Sequence, residues 1–360
     1  MAYTTIDKPD DYFNTVLYTG TGGGGSNRQI TGVGFQPDWV WVKTRGSAQE
    51  HVLSDVVRGA TGALDSSATT EEEITNTRIG AFISDGFQLG SGTVQNRVNE
   101  NGVGLVAWNW KANGAGVSNT DGSITSTVSA NTTSGFSIVS YTGNGTDNDT
   151  ATIGHGLGVA PNFIITKCRS EAGGWISSST SLGWNNVVSL NTTDASSAGT
   201  QAFGVTGVTP SSITFTVSAN SGGNHTNINN ATYIAYCFAE KKGFSKFGSY
   251  TGNGSADGTF VYTGFKPAFV MVKRTDTSGD WPMVDSGRDP YNVAQYGLYA
   301  NSTITESGFG SPTPMYDFNS NGFKIRNTFA NTNASGGTYI YMCFAENPFV
   351  TSTSIPTTAR

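Results

Sequence analysis

The sequence predicts an all-β fold made of three tandem antiparallel β-sandwich, jelly-roll-like domains. Two observations predict it: strand-like segments that recur along the chain, and a composition rich in turn residues and β-formers. The chain has Gly 47 against Pro 11, with Tyr 14 and Phe 20. Because Gly and Asn adopt the dihedral angles of tight turns, this composition favours many short strands over long helices.

The repeat is visible at both of its ends. Each copy opens with Tyr-Thr-Gly, at Tyr18, Tyr141 and Tyr250, and continues into an alternating apolar strand that starts at a proline and ends at a lysine. The three prolines are Pro37, Pro161 and Pro267, and the lysines are Lys43, Lys167 and Lys273. Each copy closes with a strand that is apolar on both faces, which predicts a buried central strand. The closing segments are Val106–Trp110, Thr232–Glu240 and Thr338–Glu346.

The spacing of landmarks sets the domain boundaries. Pro161 and Pro267 are separated by the same number of residues as Cys237 and Cys343, so the second and third copies keep register throughout. We expect domains at residues 1–113, 135–243 and 244–348, lying in a row, and a C-terminal tail at 349–360. Residues 114–134, rich in Gly, Ser, Thr and Asn, are expected to form an extended linker.

The second copy shows the predicted strands best. Runs of β-formers separated by Gly, Asn and Ser clusters indicate about eight strands, as in a sandwich or jelly roll. They are Phe136–Tyr141, a short strand near Thr152, Phe163–Lys167, Trp175–Ser179, Asn186–Leu190, Ala202–Val205, Ser212–Ser218 and Thr232–Phe238.

Charge and hydropathy exclude several classes of protein. The formal net charge is −6, and only 13% of residues are charged, with no Lys/Arg stripe, which argues against nucleic-acid binding. No stretch of roughly 18 apolar residues exists, so we expect no membrane insertion. The start, Met1 to Asn14, has no secretory signal pattern, and we expect the protein to be made in a cytoplasm.

Recurring apolar positions are the candidate core of each repeat. They are Trp39, Phe163 and Phe269 in the proline-led strands, and Trp108, Cys237 and Cys343 in the closing strands. The cysteines have no disulfide or zinc spacing, which is why we treat them as core residues.

An Asp and an Arg recur at fixed spacing after a predicted strand. Asp55 and Arg58 in the first copy correspond to Asp285 and Arg288 in the third, whereas the second copy has Ser179 and Leu182. We predict a local structural ion pair, which the fold does not require in every copy.

Three tryptophans are candidates for glycan or surface contact. Trp175 and Trp281 are equivalent by alignment, with His51 replacing them in the first copy, and Trp184 adds a loop aromatic. An aromatic face stacks on the C–H surface of a sugar. The alternative, which we favour, is that these rings complete each core or the contact between domains.

The chain shows no motif for catalysis, cofactor binding or metal binding. The histidines lie apart from one another and from the cysteines, so no zinc site is predicted. Asp147 and Asp149 offer loop oxygens but lack the later carboxylate of a calcium loop, and the acidic run Glu71–Glu73 is expected to be a solvated loop. We therefore expect a non-enzymatic protein without a cofactor.

In the repeated Tyr-Thr-Gly-Asn-Gly, Gly-Phe-x-Pro-x-x-Val and Thr-Tyr-Ile-x-x-Cys-Phe-Ala-Glu segments, the chain resembles tandem-repeat, tail-fibre-like virion structural proteins of marine tailed bacteriophages. The resemblance covers nearly the whole chain, with Val106–Trp110 departing from it. It implies a virion location after assembly in the host cytoplasm, with tail or capsid proteins as partners. It also implies a homo-oligomer, a trimer being common among fibres, although no heptad or collagen-like stalk imposes one.

Three functions stay open at this point. The first is a tail fibre or receptor-binding module that contacts the host surface and its glycans. The second is a capsid decoration or head-fibre protein on the virion shell. The third is a lectin-like glycan-binding protein or a glycanase.

Overall fold

The computed structural model describes residues 3–23, 27–92, 96–147, 149–198, 202–204, 208–219, 225–306, 310 and 312–357. The expected all-β class, with antiparallel β-sandwich units, is confirmed. The helical elements with given bounds are short: the four-residue α1 (Asn96–Asn99) and α2 (Ala330–Asn333) and a 3-10 turn at Pro9–Asp11. None of the described helices has the length and apolar content needed to cross a membrane.

The strands fall into three blocks, which we call repeats one, two and three. Repeat one holds β1 (Phe13–Thr19), β2 (Gln29–Thr31), β3 (Trp39–Thr44), β4 (Val52–Asp55), β5 (Gly59–Leu64), β6 (Glu73–Ile74), β7 (Ile79–Ile83), β8 (Gly86–Leu89) and β9 (Gly104–Trp110). Repeat two holds β10 (Val117–Asn119), β11 (Ser126–Asn131), β12 (Phe136–Thr142), β13 (Thr152–Gly154), β14 (Phe163–Cys168), β15 (Trp175–Ser179), β16 (Asn186–Ser189), β17 (Ser197–Ala198), β18 (Thr214–Thr216) and β19 (Thr232–Phe238). Repeat three holds β20 (Ser245–Thr251), β21 (Phe260–Tyr262), β22 (Phe265–Arg274), β23 (Pro282–Asp285), β24 (Gly297–Tyr299), β25 (Tyr316–Asn319), β26 (Gly322–Ile325) and β27 (Thr338–Pro348).

Each repeat has the same large antiparallel sheet. In every case the closing strand lies between the opening strand and the proline-led strand, and two further strands follow. The orders are β1-β9-β3-β4-β5, β12-β19-β14-β15-β16 and β20-β27-β22-β23-β24. A small sheet covers one face of each large sheet: β2-β8-β7, β13-β18 and β21-β26-β25.

Two sequence predictions about repeat two are wrong. Residues 114–134 are not an extended linker, because β10 and β11 pair in sequence with β12 and extend the large sheet. The Ser/Thr-rich composition hides a period-two pattern in which Val128 and Ala130 face inward. Residues Ala202–Gly204 form a turn instead of the predicted strand, and Val205 lies outside the described residues.

The closing strands β9, β19 and β27 are buried on both faces. In β19, Tyr233, Ala235 and Cys237 face the core between the large and small sheets of their own repeat. Ile234, Tyr236 and Phe238 face the opposite way, into a second core. Cys237 and Cys343 occupy equivalent places in the internal cores of repeats two and three.

This second core is shared by all three repeats. It contains Trp39, Trp108 and Trp110 from repeat one together with aromatic and aliphatic residues of the other two. The expected row of separate modules is therefore wrong: the large sheets pack around one common core. A strand that is apolar on both faces predicts burial on both sides but does not say what covers it.

Aromatic contacts in the shared core follow a cyclic pattern. Trp39 of repeat one stacks on Tyr236 of repeat two, with ring centroids 4.3 Å apart. The equivalent Phe269 of repeat three packs 5.8 Å from Trp108 of repeat one. The equivalent residue of repeat two packs on repeat three, since the rings of Phe163 and Phe247 are 6.2 Å apart. The first aromatic residue of each proline-led strand thus packs on an aromatic ring of the next repeat, in the closing strand for Trp39 and Phe269 and in the opening strand for Phe163. The three repeats close into a ring, which we call the repeat ring.

We predict that Trp39→Ala lowers the free energy of unfolding by about 3–5 kcal/mol, the usual loss for removing a fully buried large aromatic ring. Urea unfolding followed by tryptophan fluorescence measures this change. As a control, Tyr291→Ala removes a ring that is 76% exposed and should change the stability by less than about 0.5 kcal/mol. A Trp39→Ala loss no larger than that of the control would contradict the shared core.

Candidate functional site

Three equivalent buried lysines fasten the repeats to one another. Each ends its proline-led strand and donates from Nζ to a backbone carbonyl of a neighbouring repeat. The pairs are Lys43 with Thr303 O (3.2 Å), Lys167 with Thr69 O (3.4 Å) and Lys273 with Thr193 O (2.9 Å). Desolvation by burial lowers the pKa of each lysine to about 8. The recurrence of Lys after an apolar strand was the sequence signal for this contact.

A second contact lies beside each lysine and has the same cyclic order. Trp175 Nε1 donates to Asp65 O (2.7 Å), and Trp281 Nε1 donates to Ser189 O (3.0 Å). At the equivalent position of repeat one, His51 Nε2 lies 3.0 Å from Tyr299 O. Because a carbonyl only accepts, the His51 proton lies on Nε2, and Nδ1 accepts from Trp41 Nε1 at 2.8 Å.

The tryptophan candidates for glycan contact are therefore not surface residues. Trp175 and Trp281 are fully buried, and both belong to the shared core. Trp184 is buried in the internal core of repeat two, with its ring edge-on to Phe203 at 5.6 Å. A buried ring has no free face for a sugar, so the alternative assignment to cores and inter-repeat contact is the one the structure shows.

The Asp and Arg constellation lies at two of the three junctions. Arg58 forms an ion pair with Asp55 and with Glu72, which is also paired with Arg169 of repeat two at 2.7 Å. Tyr236 OH of repeat two donates to Asp55 at 2.8 Å. These groups form a charged network between repeats one and two, and Glu72, expected in a solvated loop, is one of its members.

The same kind of network recurs at the junction between repeats three and one. Arg288 pairs with Asp285 and with Glu306, and Glu306 pairs with Arg45 of repeat one at 2.9 Å. Trp108 Nε1 donates to Asp285 at 3.0 Å, in the place that Tyr236 takes at the first network. We call the two the charged junctions. Glu72 and Glu306 were missed as partners because each is far in the sequence from the arginine of another repeat with which it pairs.

The small sheets of the three repeats differ at one exposed strand. The first strands of the small sheets, β2, β13 and β21, each bury a central Ile or Val. In repeat three the flanking residues Phe260 and Tyr262 are 45% and 55% exposed, where repeat one has Gln29 and Thr31. Because exposed aromatic pairs are uncommon on a protein surface without a partner, this strand is a candidate contact surface.

A metal site is not assembled in the described part of the chain. No group of three His, Cys, Asp or Glu side chains is placed to share an ion there. Asp147 is exposed in a loop.

The fold and junctions define an all-β protein in which three covalently linked sandwich repeats close around one core. A family model described as a domain of unknown function, DUF7483, matches residues 8–348. The chain belongs to this family, and a single model spans all three repeats. Neither the curated proteins nor the solved structures contain a significant match.

We predict that Glu72→Gln lowers the free energy of unfolding by about 2–4 kcal/mol, because it leaves the fully buried Arg58 with less compensation of its charge. Glu306→Gln at the other charged junction should act alike. Glu71→Gln makes the same change at the exposed neighbouring residue and is the matched control, which should change the stability by less than about 0.5 kcal/mol. Equal changes in the free energy of unfolding for Glu72→Gln and the control would show that the network does not stabilise the protein.

His51 should make the protein sensitive to acid. Burial lowers its pKa to about 3, whereas an unfolded histidine titrates near 6.5. Between these values the unfolded chain binds the proton, so stability is present above pH ~6.5 and is lost as the pH falls toward 3. Compared with His51→Gln, the wild-type protein should lose roughly 1–2 kcal/mol more between pH 6.5 and 5. Urea titrations at several pH values test this, and parallel profiles for the two proteins would refute it.

Proposed function

We propose that this protein is a bacteriophage virion structural protein that acts by contact, as a tail fibre or receptor-binding module at the host cell surface. The observation that carries the proposal is the closure of three repeats around one core. A fixed scaffold of this kind holds surface strands and loops in a defined arrangement, which is what recognition of a large partner needs.

The covalent link between the repeats supports the same proposal. In an assembly of separate subunits, ring formation depends on concentration, whereas linked repeats meet at a high effective concentration. The repeats can also diverge independently, so that one copy carries a contact surface while the others keep the scaffold. The exposed Phe260 and Tyr262 of repeat three fit that division of labour.

A second candidate is a capsid decoration or head-fibre protein. The cyclic contacts give the repeat ring an approximate threefold arrangement, which suits docking at a threefold position of a shell. The aromatic strand of repeat three breaks that symmetry, because repeats one and two have polar or small residues there. This asymmetry favours a single directed contact, and so the receptor-binding function.

The test is competition for phage adsorption. Purified protein should reduce adsorption of the phage that encodes it to host cells, and Phe260→Gln/Tyr262→Thr should compete at least roughly 30-fold less well, as expected for loss of one contact worth about 2 kcal/mol. This variant carries the side chains of repeat one, so the strand is expected to fold. Gln29→Ala on the equivalent strand of repeat one is the control and should compete normally.

Immunogold labelling of intact virions provides the second readout. Label at the tail supports the receptor-binding function. Label over the head, or competition that is unchanged in Phe260→Gln/Tyr262→Thr, would overturn it.

A further inference from the structure

The junction between repeats two and three keeps the backbone contacts of the other junctions but not their charges. Ser196 N–H donates to Thr275 O at 3.0 Å, as Glu72 N–H donates to Arg169 O at 2.9 Å. Leu182 stands at the position of the buried arginine. The bridge at the first charged junction consists of Arg58, Glu72 and Arg169. Here uncharged side chains replace all three of its members, with Thr275 at the position of Arg169.

The replacement leaves a cavity of about 530 Å³ at this junction. The three replaced positions, Leu182, Ser196 and Thr275, all line it. The other lining residues come from both repeats and are Ser181, Asn186, Ser249, Tyr250, Thr251, Thr338, Tyr339 and Ile340. The volume lies within the roughly 300–1,000 Å³ typical of small-molecule sites.

The first charged junction shows what the cavity lacks. There, Arg169 Nη1 donates to Ser140 Oγ at 3.1 Å. Ser249 is the equivalent serine of repeat three, since both are four residues beyond the first paired residue of their strands. With Thr275 in place of the arginine, the Ser249 hydroxyl makes no hydrogen bond within the described part of the chain. The hydroxyl of Ser181 likewise has none there.

We propose that this cavity binds a neutral saccharide. No Asp, Glu, Lys, Arg or His is among the described residues that line it, so it offers no charge to an ionic ligand. Its hydroxyl and amide groups both donate and accept hydrogen bonds, as sugar hydroxyls require. Leu182, which is only partly buried, supplies apolar surface for the C–H face of a sugar ring. The inference rests on the proposed host-surface contact and names the ligand class of a site there.

The experiment is saturation-transfer NMR on the full chain with D-glucose, D-galactose, D-mannose and N-acetyl-D-glucosamine as probes. The wild-type protein should transfer saturation to at least one of them. Ser249→Trp, which places a bulky ring at an exposed wall of the cavity, should weaken binding at least 10-fold. Ser118→Trp introduces the same ring at an exposed strand residue of repeat two outside the cavity and should bind like wild type.

A second variant fills the cavity with side chains that the charged junctions already use: Leu182→Arg/Ser196→Glu/Thr275→Arg. It should abolish transfer, and if it does not fold, Ser249→Trp decides the matter. Absence of transfer to all four sugars in the wild-type protein, or undiminished transfer in Ser249→Trp, overturns the proposal. Saccharide binding by a chain that labels no virion would instead contradict the proposed function and leave this site standing.

Discussion

The rest of the structure depends on the burial of the second face of each large sheet. The small sheet of a repeat covers only one face, and the other carries Trp, Tyr, Phe, Met and Ile side chains. Within the described part of the chain, a single repeat has nothing of its own to cover that face, and exposing it to water would be costly. Packing three such faces together resolves the problem for all three repeats at once. The cyclic lysine and indole contacts then fix the orientation of each repeat on the next.

Much of the architecture of a repeat could be predicted from the sequence. The strands β15 and β19 have the bounds that the pattern gives, and the burial of Cys237 and Cys343 follows from their place in a doubly apolar strand. These features depend on local periodicity and on spacing, which a sequence shows directly. The partner of an apolar face is not local information. For that reason the shared core could not be foreseen, and a core or inter-domain role for Trp175 could be predicted but not its carbonyl partner in repeat one.

The asymmetry of the three junctions is informative because the repeats serve as comparisons for one another. Strands β4 and β23 end in Asp, and there the facing residue of the next repeat is a hydrogen-bond donor, Tyr236 or Trp108. Where Ser179 replaces the Asp, the facing position is Met342, which has no donor to offer. Position by position, polar groups appear or disappear together with their partners, as the cost of an unpaired buried group requires. The junction released from this constraint carries the cavity of about 530 Å³.

Native-state hydrogen exchange of the closing strands β9, β19 and β27 tests the central claim most directly. If the three repeats share one core, the slowest amides of the three strands should report one common free energy of opening, equal to that of global unfolding. Three separate values, with one repeat opening while the others stay protected, would show that the repeats are independent modules and would contradict the account.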